Sequence, residues 1–164
     1  MKDGIRILGI DPGSRITGFG VIEQSGFNVA YVSCGVIKTT SDFILPDRLK
    51  EIYDGICEVI ETYQPHYAAI ENVFVAKNPN SALKLGQARG VLMLAIRQYQ
   101  VELHEYSAKT VKQAVVGYGQ ADKYQIQQAV RALLKLSATP SQDAADALSV
   151  AMCCSNHLAV SQVT

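Results

Sequence analysis

The chain has 164 residues, of which 48% are hydrophobic and 18% charged, and its 15 lysine and arginine residues balance its 15 acids. This size fits one compact domain, and the composition excludes an intrinsically disordered chain. The four cysteines include no C-x-x-C pair, which argues against a zinc knuckle or disulfide framework and favours reduced thiols in the cytoplasm. No apolar run approaches a membrane span, so we expect neither a signal peptide nor a membrane partner.

The first forty residues have the pattern of three β-strands. Residues 5–11 form an apolar run that ends in a Pro-Gly turn, and strands at residues 17–22 and 27–39 follow, joined by Ser25-Gly26 as a hairpin turn. Two tight connections without a helix predict an antiparallel meander.

The rest of the chain first alternates helix and strand and then becomes helical. From Pro46 to Pro65 the apolar residues recur at helical spacing. Next we expect a strand, a long helix and a strand, at residues 66–71, about 81–99 and 101–106. Three more helices, separated by glycine and proline breaks, are expected at residues 107–116, 123–136 and 141–156.

This order of elements predicts an α/β fold around a mixed five-stranded sheet. Three antiparallel strands come first, two parallel strands follow, and helices cover both faces, as in ribonuclease-H-like folds. We expect residues 1–157 to form a single domain and residues 158–164 to form a flexible tail.

Four carboxylates occur where these elements begin or end. Asp11 and Glu71 each follow an apolar strand, and Asp143 and Asp146, three residues apart, share one face at the start of the last helix. Each has an ordinary explanation: turn chemistry for Asp11, solvent exposure for Glu71, and the helix dipole for Asp143. The helix dipole explains Asp146 less well than Asp143, and the neighbours of Asp146 are small and apolar.

Taken together, the four acids indicate a magnesium site at one edge of the sheet. Mg²⁺ takes oxygen ligands and keeps several waters, and no cluster of histidine or cysteine competes for a softer metal. Two such ions about 3.5–4 Å apart can activate a water and stabilise a leaving 3′-oxygen. The acids therefore suggest phosphodiester hydrolysis.

Longer motifs surround these acids. The chain opens with Gly9 to Gly20 (G-I-D-P-G-S-R-x-T-G-x-G), continues with A-I-E-x-x-F from Ala69 and S-A-L-K-L-G-Q-A-R-G from Ser81, and has D-A-A-D-A-L from Asp143. In this order, over residues 7–156, the motifs resemble the bacterial RuvC family of Holliday-junction resolvases, or crossover junction endodeoxyribonucleases.

This resemblance implies both a fold and an activity. The expected protein is a ribonuclease-H-like homodimer that needs Mg²⁺ and nicks four-way junction DNA in symmetric pairs during homologous recombination and DNA repair. It would work beside the RuvA–RuvB branch-migration complex. We expect two Mg²⁺ ions per active site, with Mn²⁺ able to substitute.

The resemblance also assigns site residues. The family's catalytic, metal-binding acids fall on Asp11, Glu71, Asp143 and Asp146. Some members have histidine at the last position, but this chain has Asp146, so a general-base histidine is not available there.

Three DNA-binding residues are expected from the same resemblance. Phe74 would stack its ring on an unpaired base, although an aromatic residue in this position could also pack in the core. Lys112 and Lys123 coincide with DNA-contacting lysines of the family, against the alternative of a solvated helix surface.

A stripe of small residues, Ala82, Gly86 and Gly90, recurs every four residues on the long helix. Glycine inside a helix costs about 1 kcal/mol relative to alanine, so the stripe suggests a close approach by another element. In the family this helix builds the dimer interface. The alternative is packing against the protein's own sheet.

Two other functions stay open at the level of sequence. The opening Asp-x-Gly segment also resembles the phosphate loop of actin-like and sugar-kinase ATPases, although those proteins need two such domains to enclose a nucleotide. A non-catalytic module that binds four-way junctions is the second alternative. The net charge of zero is low for a nucleic-acid binder, but a cluster of acids at a metal site would offset basic patches in the sum.

Overall fold

The computed structural model describes residues 4–72 and 78–163. In this part of the chain, five strands form one sheet in the order β3-β2-β1-β4-β5. The strands are β1 (Ile5–Asp11), β2 (Ile16–Ser25), β3 (Asn28–Lys38), β4 (Tyr67–Asn72) and β5 (Glu102–Ser107). The first three strands are antiparallel, whereas β4 and β5 run parallel to β1. The predicted fold class is confirmed.

Helices cover both faces of this sheet. They are α1 (Leu45–Tyr63), α2 (Pro79–Gln98), α3 (Ala108–Val116), α4 (Lys123–Leu133) and α5 (Gln142–Ser161). Alternate residues of a strand point to opposite faces, so Leu8 packs in the core shared with α1 and α2, and Ile7 in the core shared with α3, α4 and α5. None of the helices within residues 4–72 and 78–163 is long and apolar enough to cross a membrane.

Three helix ends differ from the sequence-based prediction. Helix α2 begins at Pro79 because proline is favoured in the first turn and the Asn78 side chain accepts a hydrogen bond from the Asn80 N–H at 2.9 Å. Helix α4 ends at Leu133, and Lys135 just beyond it has a positive φ of 54°. Helix α5 continues to Ser161, so the helix end predicted at residue 156 is wrong.

The longer α5 also includes residues near the C-terminus that were not expected to be helical. Residues 158–161, expected to belong to a flexible tail, are helical. The physical reason is that residues 142–164 contain neither glycine nor proline, so nothing in this stretch interrupts the backbone hydrogen bonds of a helix.

Helix α5 lies directly against the backbone of β1 and β2. A Cβ atom added at Gly9 would be 2.0 Å from the Ala147 carbonyl oxygen, and one at Gly18 would be 2.1 Å from the Asp143 carbonyl oxygen. At Gly20 an added Cβ would be 2.7 Å from a leucine side chain of α5. Because these positions have no room for a side chain, glycine lets the first turns of α5 reach the end of β1.

Candidate active site

The ends of β1 and β4 bring two acids to the same edge of the sheet. These strands are parallel, and Ile10 pairs with Ile70, so Asp11 and Glu71 are the next residues along each strand. Asp11 lies two residues beyond Gly9, on the face that α5 covers, and Glu71 lies two residues beyond Ala69 on that same face. Both carboxylates therefore lie on the side of the sheet that faces α5.

The start of α5 supplies the other two acids. The Ser141 hydroxyl caps this helix by accepting a hydrogen bond from the Ala144 N–H at 3.3 Å. The contact between Gly18 and the Asp143 backbone fixes this turn beside β2, and Gly18 is the residue that pairs with Asp11 in the sheet. The three-residue spacing places Asp143 and Asp146 on one face of the helix.

All four carboxylates line one pocket of about 500 Å³. Helices α3 and α4 complete its wall, and two of the wall residues are Lys112 and Lys123. Lys112 is half-buried, whereas Lys123, the first residue of α4, is exposed. The pocket thus combines four acids with two cationic side chains at the carboxyl edge of the sheet.

Burial and mutual repulsion raise the proton affinity of Asp11, Glu71 and Asp146. The pKa of Asp11 is raised to about 8, first by burial and then by Asp146, Glu71 and Asp143, while Lys123 acts in the opposite direction. Burial, followed by the charge of Asp146, also raises the pKa of Glu71, and Lys112 opposes that rise. The pKa of Asp146 is raised mainly by burial, against the effect of Lys123. Acids held in this way are stabilised by protons or by a cation.

The donor set suits a hard divalent cation. Carboxylate oxygens are the ligands that Mg²⁺ prefers, and this ion keeps several waters and binds through only one or two carboxylates. Within residues 4–72 and 78–163, no three Asp, Glu, His or Cys side chains form a ready cluster around a single point. The four acids line the same pocket, and carboxylates shared in this way suit an ion that keeps part of its water shell.

The other predicted site residues lie elsewhere or outside the described residues. Phe74 falls within residues 73–77, which lie outside the described part of the chain. Ala82 is half-buried on α2, and Gly86 and Gly90 are exposed. A Cβ atom added at either glycine would meet no described atom of another element within 4 Å. Neither glycine is therefore in close contact with a described residue of the sheet.

Sequence reasoning missed two polar residues that line the pocket, Asp122 and Ser149. Asp122 caps α4 and forms a reciprocal capping box with Gln125, so the pattern Asp-x-x-Gln was the available signal. Ser149 lies three residues beyond Asp146, which is the spacing of one helical face. Its hydroxyl donates to the Ala145 carbonyl oxygen at 2.8 Å.

Comparisons with known proteins show the family to which this chain belongs. The family model for "Crossover junction endodeoxyribonuclease RuvC" matches residues 7–154. The chain is 53% identical to RuvC of Legionella pneumophila (strain Lens) over 147 residues, which are 90% of this chain and 84% of that protein. It is 57% identical to RuvC of Serratia proteamaculans (strain 568) over 146 residues, 89% of this chain and 84% of that protein.

A solved structure is similar as well. The structure of T. thermophilus RuvC in complex with a Holliday junction substrate matches with a TM-score of 0.89 and 29% identity, and the match covers 96% of each chain. The resemblance seen in the sequence motifs is confirmed, and the chain belongs to the RuvC family of crossover junction endodeoxyribonucleases.

Proposed function

We propose that this protein is an endodeoxyribonuclease that resolves Holliday junctions by paired symmetric nicks, in homologous recombination and DNA repair. The observation that carries the proposal is the single pocket lined by four carboxylates from β1, β4 and α5 together with two lysines. Membership of the RuvC family supports this reading of the pocket. The substrate named for the T. thermophilus structure supports a four-way junction as the substrate here.

Asp11, Glu71, Asp143 and Asp146 would hold the divalent metal, which we propose to be Mg²⁺, two ions per site, with Mn²⁺ able to substitute. Bound ions would activate the attacking water and stabilise the leaving oxygen of the phosphodiester. The chain's own contribution is to hold four carboxylates at one edge of a packed sheet. The raised pKa values of Asp11, Glu71 and Asp146 mean that a cation entering the pocket competes with protons.

Lys112 and Lys123 would hold the DNA backbone next to these acids. Both line the same pocket, which supports contact with the phosphates on either side of the bond to be cut. Phe74 would stack on an unpaired base at the junction centre. This residue follows β4 in the sequence, three positions after Glu71.

The active form would be a homodimer that works beside the RuvA–RuvB complex. A four-way junction has two-fold symmetry, and an isologous dimer delivers one pocket to each of two matching strands. The stripe Ala82, Gly86 and Gly90 on α2 supports this helix as the interface, because its two glycines are exposed and a Cβ atom added at either would meet no described atom of another element within 4 Å.

A nicking assay on a synthetic four-way junction tests the catalytic proposal. With Mg²⁺ the wild type should make paired nicks, and replacement of any of the four acids by Asn or Gln should slow nicking by at least about 100-fold, since even outer partners of metal ligands contribute roughly 10–100-fold. Junction binding should persist because phosphate contacts supply affinity independently. Asp47→Asn is the matched control, since Asp47 lies in the first turn of α1 as Asp143 does in α5.

The same assay separates the alternatives. A wild type that binds junctions and does not nick them with Mg²⁺ or Mn²⁺ would be the non-catalytic binding module. A fully active single variant would remove that acid from the site. ATP hydrolysis by the isolated protein would instead favour the ATPase-like domain.

Binding measurements test the DNA contacts. Lys112→Ala and Lys123→Ala should each weaken binding to every junction sequence and lower the slope of log K against log salt by about one unit. Lys50→Ala is the control, because Lys50 lies on α1 and pairs with Asp54.

Phe74→Ala should remove about 1–3 kcal/mol of stacking without lowering the melting temperature. A large fall in melting temperature with normal cleavage would place Phe74 in the core.

A further inference from the structure

Residues 12–15, which join β1 to β2, directly follow Asp11, and we call them the 12–15 loop. The Thr17 hydroxyl donates to the Gly13 carbonyl oxygen at 2.8 Å and accepts from the Gly13 N–H at 3.3 Å. A Cβ atom at Gly13 would be only 2.0 Å from the Ile16 carbonyl oxygen. The first half of the loop is therefore closed by a local turn.

The second half of the loop is held by a distant, buried arginine. Arg48, in the first turn of α1, is 7% exposed. Its Nη2 donates to the Ser14 carbonyl oxygen at 2.7 Å and its Nε to the Thr39 hydroxyl at 3.2 Å. The Thr39 hydroxyl lies 3.1 Å from the Ser14 carbonyl oxygen and 3.2 Å from that of Arg15, and the Thr39 N–H donates to the Arg15 carbonyl oxygen at 3.0 Å.

Packing alone does not explain a buried guanidinium here. A buried charge is costly unless it is paired and hydrogen-bonded, and none of the ion pairs among the described residues includes Arg48. Arg48 lies four residues before Ile52, which is fully buried, so it occupies the apolar stripe of α1. An apolar side chain at that position could not donate to the loop.

Arg48 is not among the side chains whose charges shift the pKa of Asp11. The side chains whose charges shift the pKa of Asp11 are three acids and Lys123. The route from Arg48 to Asp11 is the backbone, because the 12–15 loop begins at the residue after Asp11. Glu51, one turn further along α1, accepts from the Thr40 N–H at 2.8 Å, and so helps to hold the strand end that carries Thr39.

We propose that Arg48 and Thr39 are positioning residues for the nuclease reaction. Together they clamp the 12–15 loop between α1 and the end of β3, and the clamped loop fixes where the Asp11 carboxylate enters the pocket. The inference rests on the proposed function, since it assumes that Asp11 takes part in cleavage. Its structural half, a loop held by these two side chains, can be tested without DNA or metal.

The experiment compares two pairs of substitutions. Thr39→Val removes the hydroxyl at nearly constant volume, and Thr39→Ser keeps it. Arg48→Met removes all donors and keeps an unbranched apolar chain, and Arg48→Lys keeps one donor that can reach one of the two acceptors. Each variant is assayed for single-turnover nicking at saturating enzyme and Mg²⁺, for junction affinity, and for amide hydrogen exchange of residues 12–18 in the metal-free protein.

Thr39→Val and Arg48→Met should each slow nicking by about 10–100-fold, as expected for outer partners of a metal site. Junction affinity should stay unchanged, and exchange in residues 12–18 should speed up. Thr39→Ser should behave as wild type and Arg48→Lys should recover part of the rate. The double variant should be no slower than Arg48→Met alone, because both side chains belong to one clamp.

Two results would overturn the inference. The first is a folded Thr39→Val variant that nicks at the wild-type rate and whose amide hydrogen exchange in the 12–15 loop is unchanged. This variant alone is sufficient to test the inference if Arg48→Met does not fold. The second is a nicking rate that falls only in proportion to the folded fraction of the variant. If the wild type itself does not nick, the proposed function fails, and hydrogen exchange alone then decides whether the clamp exists.

Discussion

Two groups of glycines in this protein have opposite surroundings. Gly9 and Gly18 lie against α5, where an added Cβ would be within 2.1 Å of a backbone oxygen, whereas at Gly86 and Gly90 no described atom of another element lies within 4 Å. Glycine weakens strands and helices alike, by about 0.5–1 kcal/mol. The first group is explained inside the chain, because it lets α5 bring its acids to Asp11. For the second group, the described part of the chain offers no such explanation, which is why we propose a partner helix there.

The largest expected effect is the loss of stability on replacing Gly9 by alanine. Overpacking typically costs about 1–3 kcal/mol and sometimes more, and here the clash is with the backbone of α5, which no side-chain rotamer can relieve. We expect Gly9→Ala to lower the free energy of unfolding by at least about 3 kcal/mol in urea titrations. Gly90→Ala is the control. A loss below about 1 kcal/mol would mean that α5 can move away from β1 freely.

The same close packing of α5 buries Asp11, and pH dependence should reveal it. Asp11 has a pKa of about 8 in the folded protein and about 3.9 when unfolded, so the folded state holds the proton more tightly. The stability from this proton is complete below about pH 4 and is lost as the pH rises to about 8. In EDTA, Asp11→Asn should therefore raise the melting temperature at pH 9 more than at pH 5.

The size of that difference follows from the linkage relation. One pKa unit corresponds to about 1.4 kcal/mol, so the shift at Asp11 can amount to a few kcal/mol. Asp47→Asn on α1 is the control, with no comparable dependence on pH. An Asp11→Asn variant whose melting temperature differs equally from wild type at both pH values would show that burial by α5 does not perturb this carboxyl.

The sequence allowed most of the fold and the acid set to be predicted, for identifiable reasons. Apolar patterning located β1 and α1, and the position of Asp11 directly after an apolar strand indicated that it lies at the edge of the sheet. The end of α5 was misjudged because no residue type marks it. The clamp by Arg48 could not be predicted, since it joins Arg48 to Ser14, 34 positions apart, and depends on the loop conformation.

A large side chain introduced on α2 should prevent the proposed contact with the second copy of the chain. Gly86→Leu should prevent a second helix from approaching and weaken dimerisation by roughly 1–3 kcal/mol, or about tenfold to a hundredfold. Sedimentation velocity at several concentrations would measure the shift toward monomer. The folded monomer should still nick single strands and fail to make the paired nicks that yield ligatable products. Unchanged dimerisation with intact resolution would falsify the placement of the interface on this helix.

The smallest expected effect gives the most direct test of the difference between the two groups of glycines. In an open helix position, Gly90→Ala should raise stability by about 1 kcal/mol through helix propensity alone. If a partner helix packs there, the added methyl also weakens the dimer, and dimerisation contributes to stability in a concentration-dependent way. We therefore expect a gain in melting temperature at protein concentrations where the chain is monomeric, and a smaller gain or a loss where it is dimeric. An equal gain at every concentration would show that Gly90 lies outside any interface between two copies of the chain.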